Sequence, residues 1–141
     1  EIWRLVLRII GQMAKHNPRN NYVILYIQKS IIETLDAIQQ TDNVMRKESL
    51  VLLSYYYVLN AKEFFNKEVI DKIYKTLLDI IDKYVNNTVL NINVLRIIGE
   101  LVKEDNDNVN YDNNNQSYQQ PMNQSASEYS SYLNIFLNVF N

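Results

Sequence analysis

The chain has no cysteine and very few residues that favour turns. Without cysteine, disulfide bonds and thiolate metal sites are excluded. Only 2 glycines and 2 prolines occur among 141 residues, too few for the many turns of a β-rich fold. Hydrophobic residues nevertheless make up 47% of the chain, enough for the core of one domain. This scarcity of turn residues predicts long helices.

The sequence also lacks an excess of charge of either sign. Its 14 basic and 16 acidic residues give a net charge of -2, whereas nucleic-acid binding normally needs a basic stripe. We therefore expect no nucleic-acid partner. No apolar run is long enough to span a bilayer, and no signal or transit peptide is recognisable. We expect an intracellular protein, cytoplasmic or nuclear, that is part of a longer chain.

Apolar residues recur at helical spacing in five segments, which predicts an all-α fold. The predicted core stripes are Leu5, Ile9, Gln12, Met13 and His16; Ile31, Leu35 and Ile38; Leu50, Leu53, Tyr57 and Ala61; Ile70, Ile73, Leu77, Ile80, Ile81 and Tyr84; and Val94, Ile97, Ile98, Leu101 and Val102. Residues typical of helix ends separate these segments: Asn17-Pro18, Thr41-Asp42-Asn43 and Asn86-Asn87-Thr88.

The composition changes between residues 105 and 127, where Asn, Gln, Ser and Asp dominate. Such a segment cannot bury enough apolar surface to offset the entropy lost on ordering. We predict three regions: helical repeats in 1–104, an Asn-rich disordered insert in 105–127, and the start of a further helix in 128–141.

One nine-residue sequence occurs nearly twice. LRIIGQMAK spans Leu7 to Lys15 and LRIIGELVK spans Leu95 to Lys103, 88 positions later. A weaker copy lies between them, and its Ser54 follows Gly11 by 43 residues and precedes Gly99 by 45. A period of roughly 40–47 residues is typical of armadillo and HEAT repeats. Because each unit exposes an apolar face that it cannot bury alone, we predict a right-handed α-solenoid, with the small residue allowing a neighbouring helix to approach.

The sequence VLRIIGQMA resembles the third helix of an armadillo repeat, which often reads Ala-Leu-Arg-Ala-Leu-Gly-Asn-Ile-Ala. The middle unit, TDNVMRKESLVLLSYYYVLNAKEFFNKEVIDKIYKTLLDII, is similar to the importin-α type of repeat. There a short loop leads into a Lys-Lys-Glu-Ala helix, and an Asn-Lys-Glu stretch precedes the next helix. Arg46-Lys47-Glu48-Ser49 and Asn66-Lys67-Glu68 occupy those places. The resemblance covers about residues 1–104 and implies an armadillo-like fold.

The resemblance also implies a concave groove for a partner. Importin-α proteins carry Trp and Asn four residues apart on successive third helices, and these residues hold an extended cargo peptide. The corresponding pairs here are Arg8 and Gln12, Val51 and Tyr55, and Arg96 and Glu100, none of which has both Trp and Asn. We predict that these six residues line a groove. Arginine can grip carboxylates in a bidentate manner and tyrosine is a flat anchor, so an acidic or aromatic-containing peptide is suited to it.

Groups for catalysis are few. His16 is the single histidine, and neither a second histidine nor a cysteine could complete a metal site or a catalytic pair with it. Gly11 and Gly99 stand alone within helices, so no phosphate-binding loop is present. We therefore expect no metal, no cofactor and no enzymatic activity. The run Tyr55-Tyr56-Tyr57 could form an aromatic platform, although helical spacing turns at least one of its rings toward the core.

Three functions stay open. The first is a non-catalytic protein-interaction module that binds a partner peptide or helix in its groove. The second is an architectural solenoid segment in a larger transport, vesicle-coat or chaperone-cofactor assembly. The third is an importin-α-like adaptor for nuclear import, for which the Trp and Asn residues are missing.

Overall fold

The computed structural model describes residues 2–17, 19 and 21–111, with side chains as far as Lys103. The helices are α1 (Ile2–His16), α2 (Asn21–Gln40), α3 (Val44–Ala61), a short 3-10 turn (Lys62–Phe64), α4 (Lys67–Lys83) and α5 (Thr88–Tyr111). This part of the chain contains no β-strand. The predicted all-α class is therefore confirmed.

The chain divides into two compact units, Glu1–Ile97 and Ile98–Asn141. In the first unit, α2 packs against α3 and α4, and α1 packs against α3 and α2. In the second unit, the described part is the continuation of α5 to Tyr111, past the predicted start of the Asn-rich insert at residue 105. The remainder of that insert and the predicted helix in 128–141 lie outside the described residues.

The predicted helix ends agree with the structure. α1 stops at His16, directly before Asn17-Pro18. Three later helices begin with an asparagine whose side-chain oxygen accepts a hydrogen bond from the backbone N–H three residues on, which satisfies a donor that the helix itself cannot. The acceptor and donor residues are Asn43 and Arg46 (3.1 Å), Asn66 and Val69 (2.9 Å), and Asn87 and Leu90 (3.1 Å).

The core takes residues from all five helices, and the stripes predicted for α2 and α4 supply seven of the 21 hydrophobic residues that are buried in the described part of the chain. Burying one such aliphatic side chain contributes about 1.5–3 kcal/mol. Polar contacts then fix α4 against α2, because Lys72 Nζ lies 2.5 Å from Asp36 Oδ1 and Gln39 donates to the Thr76 hydroxyl at 3.3 Å. The residues of the predicted stripes that are buried are Ile31, Leu35, Ile38, Tyr57, Ala61, Ile73, Leu77, Ile80, Ile81, Val94, Ile97 and Ile98.

The core stripe predicted for α1 is wrong. All of its members, Leu5, Ile9, Gln12, Met13 and His16, are exposed. The buried residues of α1 are instead Leu7, Gly11 and Ala14. Apolar residues occur on both sides of this helix, so periodicity alone fits either side, and the contact with α3 determines which one is covered.

Candidate functional site

Helices α1 and α3 touch at a glycine. A Cβ atom built on Gly11 would lie 2.5 Å from the backbone oxygen of Asn60, so only glycine permits this approach. Further along, Lys15 Nζ lies 3.5 Å from Glu63 Oε1 in the 3-10 turn that follows α3. From the first contact to the second, the α1 residue advances from 11 to 15 and its partner from 60 to 63. Helices α1 and α3 therefore run in the same direction. The predicted role of a small residue in helix approach is confirmed for Gly11.

The other two small residues of the repeat have different surroundings. Ser54 is buried, and its hydroxyl donates to the backbone oxygen of Leu50 at 3.0 Å. Gly99 is exposed, and a Cβ atom built there meets no described atom within 4 Å. The three positions correspond in sequence, but Gly11 and Ser54 are buried and Gly99 is exposed.

Beside the Gly11 contact, a cleft of about 360 Å³ opens between α1 and the end of α3. Its lining residues are Arg4, Leu5 and Arg8 from α1 and Leu59 and Asn60 from α3. The two arginines are one helical turn apart and both are exposed. Within residues 2–103, no carboxylate forms an ion pair with either of them. We name this site the arginine cleft.

The chemistry of the arginine cleft is that of an anion-binding surface with apolar walls. A guanidinium group binds a carboxylate through two parallel N–H donors, and such charge-assisted bonds are stronger than neutral ones. Leu5 and Leu59 offer adjacent apolar surface for an aliphatic or aromatic side chain. No nucleophile or general base lines the cleft, so these residues can bind a ligand but supply no catalytic group.

The six predicted groove residues are only partly brought together. Arg8 lines the arginine cleft, and Gln12 is exposed one turn later on α1. Val51 is fully buried and presents no surface to a partner, because α3 is packed against both α1 and α2. Its place in the predicted groove is therefore wrong. Tyr55 is half-buried, one turn before the cleft residue Leu59.

The other two predicted groove residues are on α5, and Arg96, in the first unit, does not line the arginine cleft. Arg96 is exposed and donates to the side-chain oxygen of Asn93 at 3.4 Å, a contact within its own helix. Glu100 belongs to the second unit and is half-buried.

Four residues of the arginine cleft were missed by the sequence reasoning. Arg4 and Leu5 precede Arg8 by about one turn, and Leu59 and Asn60 follow Tyr55 by about one turn. An i, i+4 extension of the predicted pairs along each helix would have included Arg4 and Leu59. The close approach that puts Asn60 beside α1 has no such sequence signal.

The tyrosine run divides as its helical spacing predicts. Tyr57 is buried, whereas Tyr55 and Tyr56 are half-buried with their ring centroids 5.6 Å apart. Burial raises the pKa of Tyr57 above 10.0, and hydrogen bonds to the Ser30 and Thr34 side chains oppose that rise. Tyr57 is therefore a core residue, and the aromatic platform is reduced to two rings.

A second depression, of about 530 Å³, is lined by residues 83–89, which comprise the α4–α5 loop and the adjoining ends of both helices. Below the loop, the buried Lys47 places Nζ 4.6 Å from the centre of the Tyr84 ring, a cation–π contact. The Asn91 side chain donates to the backbone oxygen of Val85 at 2.9 Å, while its own Oδ1 is buried without a described partner. These contacts hold the loop in place and bring no reactive groups together.

The described residues contain no cluster of three metal-ligating side chains. Their helices include none with the length and apolar character needed to cross a membrane. His16 is exposed in the last turn of α1. No protein family, no curated protein sequence and no solved structure matches the chain. The armadillo resemblance stays a prediction, and the function has to be argued from the helices and the arginine cleft.

Proposed function

We propose that this chain is a non-catalytic protein-interaction module, and that its arginine cleft binds an acidic segment of a partner protein in the cytoplasm or nucleus. The observation that carries this proposal is the pair Arg4 and Arg8, two exposed guanidinium groups on one side of a cleft with no carboxylate partner among the described residues. The pair lies between apolar walls, so a segment with both acidic and aromatic side chains suits it best.

We place this cleft in an armadillo-like, right-handed α-solenoid. The packing supports the assignment, because α1 lies alongside α3 in the same direction while α2 lies against α4. In a solenoid of two-helix units, alternate helices form two layers in this way, and each unit contacts mainly its neighbours. The arginine cleft then lies between two successive helices of one layer, where repeat proteins bind extended segments.

The proposal is tested by fluorescence anisotropy with short labelled peptides rich in Glu and aromatic residues. We expect binding that weakens as salt is added, because the guanidinium groups are exposed and their attraction is screened. The double substitution Arg4→Glu and Arg8→Glu should weaken binding by about tenfold or more, since each charge-assisted bond contributes about 1.5–3 kcal/mol.

The control is Arg46→Glu, which makes the same type of substitution at one exposed arginine in the first turn of α3, outside the lining of the cleft. It should leave the peptide affinity within about twofold, since distant exposed charges are largely screened. A folded double variant that binds every peptide as well as the parent would reject the cleft as the binding site.

A second candidate function is an architectural role as one segment of a larger helical assembly. The exposed apolar side chains of α1, above all Ile2, Leu5, Ile9 and Met13, favour it. Under this function the parent chain binds no acidic peptide, and its apolar face is covered by another component. The peptide titration described above separates the two candidates.

A further inference from the structure

The six residues VLRIIG occur twice, at 6–11 in α1 and at 94–99 in α5. The residues that are buried in one copy differ from those that are buried in the other. Ile9 is 60% exposed, whereas the corresponding Ile97 is fully buried. Leu7 is buried, whereas the corresponding Leu95 is 47% exposed. The same sequence therefore covers opposite sides of the helix in its two positions.

We name two sides of α1 by their residues. The glycine face consists of the buried residues Leu7, Gly11 and Ala14, and α3 touches it at Gly11. The outer face consists of Leu5, Ile9 and Met13, which are 53–60% exposed. At the corresponding positions of α5 within the first unit, Asn93 and Ile97 are buried. The outer face of α1 is thus an apolar surface whose counterpart on α5 is covered.

Helix α3 shows what an outer face contacts. The residues of α3 that correspond to Leu5, Ile9 and Met13 are Glu48, Leu52 and Tyr56, and the row continues one turn further to Asn60. Asn60 is the residue that touches Gly11 of α1. The row that continues the outer face of α3 therefore reaches the glycine face of α1 at Asn60.

We propose that the outer face of α1 docks a further helix of the same repeat, which precedes α1 in the stack and presents its glycine face to it. The partner is defined by a pattern: a small residue with an apolar residue four positions before it and another three positions after it. The chain carries this pattern at Leu7, Gly11 and Ala14; at Leu50, Ser54 and Tyr57; and at Leu95, Gly99 and Val102. The inference rests on the helical stack of the proposed function.

The occupant is a helix pair rather than a single helix. Helix α2 also leaves large apolar residues exposed in its first two turns, namely Tyr22, Leu25 and Tyr26. One repeat supplies one helix to each layer, so a complete preceding unit covers both surfaces. A lone amphipathic peptide covers only one of them.

The test is a chain extended by two repeats. Residues 1–92 are placed before residue 5, so that Leu5, Ile9 and Met13 follow Ile92 in the positions of Asn93, Ile97 and Leu101. This junction keeps the Asn87 helix cap and the Asn91 hydrogen bonds to the loop. The extended chain contains Ile9 twice, once in its terminal helix and once in its inner helix, and each copy is changed separately to Asp.

We expect Ile9→Asp in the inner helix to lower the melting temperature by more than about 5 °C, because a carboxylate is then buried in a helix contact. The same change in the terminal helix should lower it by less than about 2 °C, since that side chain is exposed. As a second readout, Met13→Cys in this cysteine-free chain should react with a thiol reagent much more slowly at the inner position than at the terminal one.

Equal effects of the two Ile9→Asp changes, or an extended chain that does not fold while the parent does, would overturn the proposal. Sedimentation of the parent chain tests the remaining alternative, which is a dimer. If the parent is a dimer and the Ile9→Asp variant is a monomer, the outer face binds a second copy of the chain, and the proposal of a preceding repeat is rejected. Leu5 belongs to both surfaces, but Ile9 and Met13 do not line the arginine cleft, so failure of peptide binding would leave this result unaffected.

Discussion

Helices α1 and α5 contain the same six residues, VLRIIG, yet they bury opposite sides of that sequence. In α1 the glycine face is covered by α3 and Ile9 is exposed; in α5 Ile97 is buried and Gly99 is exposed. A helix with apolar residues on two sides can bury both of them only when a neighbour packs against each side. The comparison teaches that the neighbours of such a helix, rather than its own sequence, decide which side is covered.

Helix α4 behaves differently. Its apolar residues lie on one side only, and Ile73, Leu77 and Ile80 are all buried there. The opposite side carries exposed or half-exposed charged residues. A helix of this kind has one buried face wherever it is placed, which is why four of the six residues predicted for its core stripe are buried.

The largest expected effect comes from changing the same isoleucine in the two copies. Ile97→Ala should lower the free energy of unfolding by about 2–5 kcal/mol, because a fully buried side chain is removed and a cavity remains. Ile9→Ala, on the exposed side of α1, should change it by less than about 0.5 kcal/mol. Urea unfolding of both variants measures the difference, and equal losses would mean that the two copies share one environment.

A smaller effect is expected where α5 begins. The Asn87 side chain accepts a hydrogen bond from Leu90 N–H and donates to Glu48 of α3 at 3.1 Å. Asn87→Ala should therefore cost about 1–2 kcal/mol, the upper range for loss of a helix cap. Circular dichroism during thermal unfolding would show it. An unchanged melting temperature would mean that neither the cap nor the link to α3 contributes to stability.

The smallest effect concerns Tyr57, which stands in the middle copy where α1 has Ala14. Burial raises the pKa of this phenol above 10.0, so the unfolded chain loses the proton at a lower pH than the folded chain does. The stability that Tyr57 contributes should be complete below pH 10.0 and fall as the pH rises toward the folded-state pKa. In the Tyr57→Phe variant, the loss of stability caused by ionisation of this phenol should be absent. A parent and variant that lose stability in parallel above pH 10 would contradict the assignment.

Much of the fold could be predicted from local chemistry. The scarcity of glycine and proline pointed to helices, and asparagines at the predicted boundaries cap α3 and α5. The single apolar side of α4 pointed to its buried residues. These features depend on residues a few positions apart in the chain, so they can be recognised from a single sequence.

The arginine cleft and the buried face of α1 depend on contacts between residues distant in sequence. Arg8 was predicted to line a groove with residues of α3 and α5, whereas Leu59 and Asn60 lie beside it because Gly11 lets α3 approach. Val51 was placed in the groove by its alignment with Arg8, whereas α3, packed against two other helices, buries that position. Residues that correspond between the sequence copies are expected to be helical in each copy. Their exposure differs because each helix has different neighbours.

The most direct measurement of this difference is the free energy of unfolding of two single variants, Gly11→Ala and Gly99→Ala. At Gly11 the added methyl group meets the Asn60 backbone, and stability should fall by about 1–3 kcal/mol. At Gly99 the methyl group meets no described atom, so stability should rise by about 0.5–1 kcal/mol, the helix preference of alanine over glycine. Opposite signs are the predicted result. Two changes of the same sign would contradict the account that α1 and α5 carry one sequence in two reversed environments.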